Sequence, residues 1–163
     1  MRPQKRMKGD APLLDIETMF EQYRDDVYRL ALSYTKSVQE AEDVCQTVFL
    51  KLMEQKRIEP GKERAWLMQV TANRCKNLLR SGWWKRTVPM EEALPAPAPT
   101  YTDTWEIVMA LPPQYRVLVY LRYYEEMSTR EMAALLHISQ STVTTRLSRA
   151  RRMLKEQLQE VSL

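Results

Sequence analysis

The chain has 163 residues, three glycines and a net charge of +4. That length allows one domain or two small ones, and so few glycines with so little strand-like alternation argue for an all-helical protein without a large sheet. No apolar run is long enough to span a membrane, and none of signal-peptide length follows the basic start Met1-Arg-Pro-Gln-Lys-Arg. The total charge identifies no partner, but its distribution is informative. Asp10 to Glu54 carries ten acids and four Lys/Arg, whereas Lys62 to Arg86 carries seven Lys/Arg and one Glu. A second basic stretch follows Ser128, with six Lys/Arg against two Glu up to Glu156. Two basic segments separated by acidic or neutral chain suit two contacts with a polyanion; two solvated helix faces are the plainer reading.

Residues 1–12 lack periodicity and are expected to form a flexible tail. Ile16, Met19, Phe20, Tyr23, Val27, Leu30, Ala31 and Tyr34 recur at helical spacing, with Asp15 as the cap. After a break at Lys36-Ser37, Val38, Ala41, Val44, Cys45, Val48, Phe49 and Leu52 line one side of a second helix. Its other side carries Glu40, Glu42, Asp43, Gln46 and Lys51. Pro60-Gly61 breaks the chain, and a third helix is expected over residues 62–81. That helix has a polar stripe of Gln69, Asn73, Lys76, Asn77 and Arg80, which is either a solvated face or a set of donors for bases and phosphates. Cys45 and Cys75 show no metal or redox spacing and fit buried free thiols in a reducing compartment. No cofactor or metal site is expected.

The segment from Val88 to Asp103 has Pro95-Ala-Pro-Ala-Pro and no Lys or Arg. It reads as a stiff linker, with the boundary placed at 87–103, between a first helical domain over 13–86 and a second over 104–163. Trp83-Trp84, just before it, either cap the first core or stack on a partner. Residues 104–111 form a short helix ended by Leu111-Pro-Pro, and Tyr115 to Glu125 form another. Ser128 with Glu131 is a capping box that starts a further helix bearing Met132, Ala133, Leu135 and Leu136. His137 and Ile138 make a tight corner, with the lone histidine in a structural role, and Ser139 caps the last helix. This is a helix-turn-helix whose second helix presents Thr142, Thr144, Thr145, Arg146, Ser148, Arg149, Arg151 and Arg152, side chains suited to base edges and phosphates in a major groove.

These pieces resemble a bacterial RNA polymerase sigma factor of the extracytoplasmic-function (ECF) type, within the sigma-70 superfamily. The resemblance covers nearly all of residues 15–160. Tyr28-Arg-Leu-Ala and Ala41-Glu-Asp-Val-Cys-Gln-Thr-Val-Phe-Leu-Lys-Leu look like the family's polymerase-docking segment. Ala65-Trp-Leu-Met-Gln-Val-Thr-Ala-Asn-Arg is similar to its promoter-melting helix. Leu111-Pro-Pro-Gln-Tyr-Arg, Ser128-Thr-Arg-Glu-Met-Ala and Thr142-Val-Thr-Thr-Arg-Leu-Ser-Arg-Ala-Arg match its second conserved region.

The resemblance implies a protein that binds core RNA polymerase, brings it to promoter DNA and helps open the duplex, with no catalysis of its own. It implies a cytoplasmic location, no small-molecule substrate, and an anti-sigma factor as partner, often membrane-anchored. Glu40, Asp43, Gln46 and Phe49 fall where the family meets the polymerase, although Phe49 fits a core position equally. Arg57, Lys62, Trp66, Asn73, Arg74, Lys76, Asn77 and Arg80 fall where it handles the −10 element, and the loop from Gln55 to Lys62 where it captures a flipped base. Arg130, Ser141, Thr142, Thr144, Thr145, Arg146, Ser148 and Arg149 fall on the side that meets the −35 element. Arg130, Thr142 and Arg146 suit phosphates. Thr144 is too short for a bidentate guanine contact. The competing reading is an ordinary helix-turn-helix regulator whose first domain senses or dimerises; it would bind promoter duplex tightly without the polymerase. A DNA-rearranging enzyme would need a nucleophilic Ser or Tyr with clustered arginines or acids in residues 15–80, and the sequence has no such cluster.

Overall fold

The computed structural model describes residues 14–55, 57–80 and 104–161. The expected tail, the Pro-rich linker and Trp83-Trp84 lie outside them. Among the described residues there is no strand. The helices are α1 (Ile16–Thr35), α2 (Val38–Glu54), α3 (Glu63–Arg80), α4 (Thr104–Met109), α5 (Pro113–Val119), α6 (Thr129–Leu136) and α7 (Gln140–Val161). A π-helical turn over Tyr120–Tyr124 continues α5.

Local chemistry sets the helix ends. The Thr18 hydroxyl donates to Asp15 Oδ2 at 2.7 Å and its amide to Oδ1 at 3.2 Å. Together they cap α1 and hold the Asp15 carboxyl below its usual range. Lys36, in the left-handed region at φ 54, closes that helix by donating its amide to the Leu32 carbonyl. Ser37 Oγ then accepts from the Glu40 amide and starts α2. The break before α3 is a turn in which Lys62 N–H reaches Glu59 O at 3.0 Å, with Gly61 at φ 86. That φ favours glycine. The capping box of α6 is complete: the Glu131 amide donates to Ser128 Oγ at 3.1 Å, and the Ser128 amide to Glu131 Oε2 at 2.9 Å. His137 (φ 54) ends α6, and Ser139 Oγ accepts from the Thr142 amide at 3.0 Å to cap α7.

α1, α2 and α3 pack pairwise through Val27, Leu30, Ala41, Val44, Val48, Leu52, Leu67 and Ala72, all essentially buried. Each large aliphatic side chain so buried contributes about 1.5–3 kcal/mol. The same apolar cluster continues without interruption into Val117, Leu118, Tyr120, Leu121, Met132, Leu135, Leu136, Val143 and Leu147. A smaller cluster of Val108, Leu111, Val119 and Ala150 joins α4, α5 and α7. Cys75 lies in the core and Cys45 is half-buried; burial raises both thiols, Cys45 to about 11. Both stay protonated near neutral pH, as inert packing groups do.

The sequence expectation of one regular helix from Tyr115 to Glu125 does not hold. The α-helix ends at Val119, and the Glu125 amide bonds to the Tyr120 carbonyl five residues back at 3.2 Å. The wider turn keeps Tyr120 fully buried, with its hydroxyl donating to Glu125 Oε1 at 2.5 Å, while Tyr123 and Tyr124 stay exposed.

Candidate nucleic-acid interface

Three surfaces carry the residues singled out by sequence. On the first, α2 exposes Asp43 and Gln46 and half-exposes Glu40. Phe49, expected to face the polymerase, is 7% exposed and packs edge-on against Phe20 with ring centroids 4.9 Å apart. Its helix position points it back at α1, so it forms the floor of the surface rather than its outer edge. The edge is apolar instead: Phe20, Leu50 and Met53 are 40%, 60% and 65% exposed. With Ile16 and Gln46 they line a groove of about 600 Å³. Sequence reasoning missed Leu50 and Met53, although two apolar residues on the polar side of α2 were a readable signal.

The second surface is α3. Asn73, Asn77 and Arg80 are exposed, Lys62 lies just before the helix, and Arg57 is exposed in the preceding loop. Trp66 is half-buried and packs against the core cluster. Arg74 is half-buried, and its Nε has no hydrogen-bond partner. The Lys76 ammonium donates to the Leu136 carbonyl at the end of α6. Burial and then the neighbouring Arg80 lower its pKa. Gln69, one turn before Asn73, donates to Asn73 Oδ1 at 3.1 Å and to the Leu135 carbonyl at 3.0 Å, and its Nε2 lies 3.1 Å from His137 Nε2. The turn between α6 and α7 therefore sits on the polar stripe of α3.

The third surface is the start of α7. Ser141, Thr144, Thr145, Ser148 and Arg149 are exposed on it, Thr142 and Arg146 are half-buried, and Arg130 is exposed on α6. The Thr144 hydroxyl donates back to the Gln140 carbonyl at 3.0 Å. Gln114, and then Arg149, hydrogen-bond Tyr115 and lower its phenol pKa. Arg146 lines a cavity of about 380 Å³ with Tyr34, Lys76, Leu79, Gln114 and Leu136. Lys76 and Arg146, expected on two separate DNA contacts, thus share one cavity wall.

Arg116 closes the Leu111-Pro-Pro-Gln-Tyr-Arg motif, and the sequence assigns it no role of its own. It is 3% exposed and spends its guanidinium on carbonyls from three places. Nε donates to Ser33 O at 2.5 Å, Nη2 to Tyr34 O at 2.8 Å and Nη1 to Leu111 O at 2.9 Å. Ser33 and Tyr34 end α1, where the helix dipole is negative, so the cation stabilises an end that has no basic residue in its last turn. Burial lowers the guanidinium to about 10, still charged near neutral pH. A second cross-link runs from Arg64 to Asp26, Nε to Oδ2 at 3.3 Å, and to Glu125.

One donor-rich stripe on α3 and one row of hydroxyls and arginines on α7 suit contact with nucleic acid, and no cluster of metal-ligating side chains occurs among the described residues. Comparison with known proteins makes the class specific. Residues 19–85 match the family described as Sigma-70 region 2, and residues 103–154 match Sigma-70, region 4. The sigma factor SigM of Bacillus subtilis is 28% identical over 87% of this chain and 94% of its own length. SigV of the same species is 28% identical over 90% of this chain and 92% of its own. The chain spans 61% of the length of SigE of Mycolicibacterium smegmatis, again at 28% identity. The fold is shared with a solved sigma factor, RpoE in complex with the anti-sigma factor NepR from Bartonella quintana (TM-score 0.69, 23% identity, 89% of this chain and 97% of that one). It is also shared with CnrH in complex with the cytosolic domain of CnrY (TM-score 0.58, 21% identity, 89% of this chain and 88% of that one). The chain belongs to the sigma-70 family, as a sigma factor of the ECF type.

Proposed function

We propose that this chain binds core RNA polymerase and directs it to promoters by engaging a −10 and a −35 element, without chemistry of its own. The observation that carries the reading is the combination on one chain of both sigma regions, an open apolar groove on α1 and α2, and two separate donor-rich helix faces. The groove rim formed by Phe20, Leu50 and Met53, with Asp43 and Gln46 beside it, suits a partner helix that is partly apolar and partly basic. Asn73, Arg74, Lys76, Asn77 and Arg80 on α3, with Arg57, Lys62 and Trp66 at its start, take the single strand of the −10 element. The loop before α3 receives an extruded base, whose unstacking costs a few kcal/mol that binding must offset. Thr144, Thr145, Ser148 and Arg149 read the −35 duplex, while Arg130, Ser141, Thr142 and Arg146 hold its phosphates. The residues 13–86 and 104–163 act as two domains on either side of the 87–103 linker. The protein works in the cytoplasm, and its release is controlled by an anti-sigma factor. No helix among the described residues is long and apolar enough to cross a membrane.

Run-off transcription with core polymerase on genomic fragments tests the reading. Transcripts should start at new, defined positions when the chain is added. Identical transcript patterns with and without it would sink the proposal.

A further inference from the structure

The cavity where α1, α3, α5, α6 and α7 meet is not accounted for by the sigma reading. Its volume is about 380 Å³, and most of its wall is apolar, with Tyr34, Leu79, Val117, Leu118, Leu136 and Ile138 on it. Its charged or amide side chains are Lys76, Gln114 and Arg146, and no carboxylate lines it among the described residues. Neither cation has an acidic partner among those residues. The Lys76 ammonium gives one N–H to the Leu136 carbonyl, and an ammonium has three. Burial, and then Arg80, disfavours the charged form of Lys76, a cost that a neighbouring anion would offset. Gln114 is exposed and Arg146 half-buried, so the cavity opens to solvent between α5 and α7.

We propose that this cavity binds a medium-chain carboxylate, with the acyl chain against Leu79, Val117, Leu118 and Leu136 and the carboxylate held by Lys76 and Arg146. Small-molecule sites are concave and mostly apolar, with a few polar groups that fix orientation, and they run from about 300 to 1,000 Å³. This cavity lies at the small end of that range, so it takes a single chain and not the two of a membrane lipid. Two cations without acidic partners above an apolar wall select an anion that carries an apolar body. A small inorganic anion would leave the apolar wall uncovered, and a neutral chain would leave the cations unpaired. The arginine matters most, because its planar fork can give a carboxylate two parallel hydrogen bonds. One consequence rests on the sigma reading: an anion held by Lys76 and Arg146 takes donors that promoter phosphates would otherwise use. The binding itself does not depend on that reading.

Titration of the full chain with octanoate, followed by isothermal calorimetry below the concentration at which octanoate forms micelles, tests this. Octanoate should saturate a single site. Octanol, which has the chain without the charge, and inorganic phosphate, which has charge without the chain, should each bind at least about tenfold more weakly. Arg146→Gln should weaken octanoate at least about tenfold. Arg149→Gln removes the same charge from an exposed position on the same helix, outside the cavity, and should leave octanoate binding unchanged. Leu79→Trp should fill the apolar part and abolish binding, with circular dichroism as the check on each fold; Arg146→Gln carries the test if Leu79→Trp unfolds. Octanol or phosphate binding as tightly as octanoate would overturn the proposal, as would equal losses in Arg146→Gln and Arg149→Gln. So would co-sedimentation with phosphatidylglycerol vesicles in the absence of saturable octanoate binding, which would place the anion affinity on a membrane surface. A failed run-off assay would instead sink the sigma function and leave the octanoate result intact.

Discussion

Two faces of the molecule offer hydrogen-bond donors, and they stand in opposite states. On α3 the stripe is in use: Gln69 and Lys76 already donate to carbonyl oxygens of the turn after α6. On α7 the row from Ser141 to Arg149 largely faces solvent, with Thr144 donating only to its own helix and Arg149 to Tyr115. The side chains differ less than their surroundings do. What separates the faces is how far the donors are committed to backbone carbonyls of another helix. While Gln69 and Lys76 hold these carbonyls, the same N–H bonds are not available to another acceptor. Among the described residues the α7 row is less committed, with Arg149 held by the Tyr115 hydroxyl and Thr144 by its own helix.

The comparison is broken most severely at Arg116. Arg116→Met fills the same space without the donors and leaves the Ser33, Tyr34 and Leu111 carbonyls unpaired. Each buried unsatisfied group costs about 1–3 kcal/mol, so a loss of about 3 kcal/mol or more is expected. Urea unfolding followed by circular dichroism measures it. An unchanged midpoint would mean that the cover on α3 holds without this arginine.

A smaller effect, on association alone, is expected from Asp43→Ala combined with Gln46→Ala. Both side chains are exposed, so the fold and the cover on α3 should persist. Binding to core polymerase should weaken, since a desolvated charged hydrogen bond contributes about 1.5–3 kcal/mol. Pull-down beside a circular dichroism control decides it, and undiminished capture places the docking surface elsewhere.

The finest contrast lies within α7. Arg149→Ala should relax preference at a single −35 base pair by about 1–3 kcal/mol, the discrimination of one bidentate arginine–guanine pair. Arg146→Ala should weaken all promoters alike and flatten the salt dependence, as loss of a phosphate contact does. Holoenzyme transcription over a −35 substitution library at several salt concentrations separates them. The reverse pattern would mean that the helix is rotated in the groove, with Arg146 toward the bases and Arg149 toward the phosphates.

What could be read from sequence was local. Asp15, Ser128 with Glu131, and Ser139 were readable as caps because capping joins residues three apart, and each makes the expected bond. The apolar spacing of α1 to α3 gave their buried sides for the same reason. What escaped was non-local. Arg116 follows α1's Ser33 by 83 residues, and nothing near it in sequence says that two carbonyls await it. Its signals were its place at the end of Leu111-Pro-Pro-Gln-Tyr-Arg and a cation directly before Val117-Leu118-Val119, three residues that are all buried. Phe49 lies on the floor of the α1–α2 groove and not on its edge; a docking surface and the core beneath it share one helix, and periodicity alone does not say which apolar residue is floor and which is edge. The bond from Lys76 to Leu136 was not legible either, because its acceptor lies 60 residues on.

The π turn at Tyr120–Tyr124 adds a matter of phase. A residue inserted into an α-helical run advances everything after it by about 100° and 1.5 Å. Here the extra residue lies directly upstream of α6, so it sets the angular position at which the Leu135–His137 corner arrives over α3. Deleting one residue from this segment would restore a regular helix and carry that corner around the axis, out of reach of Gln69 and Lys76.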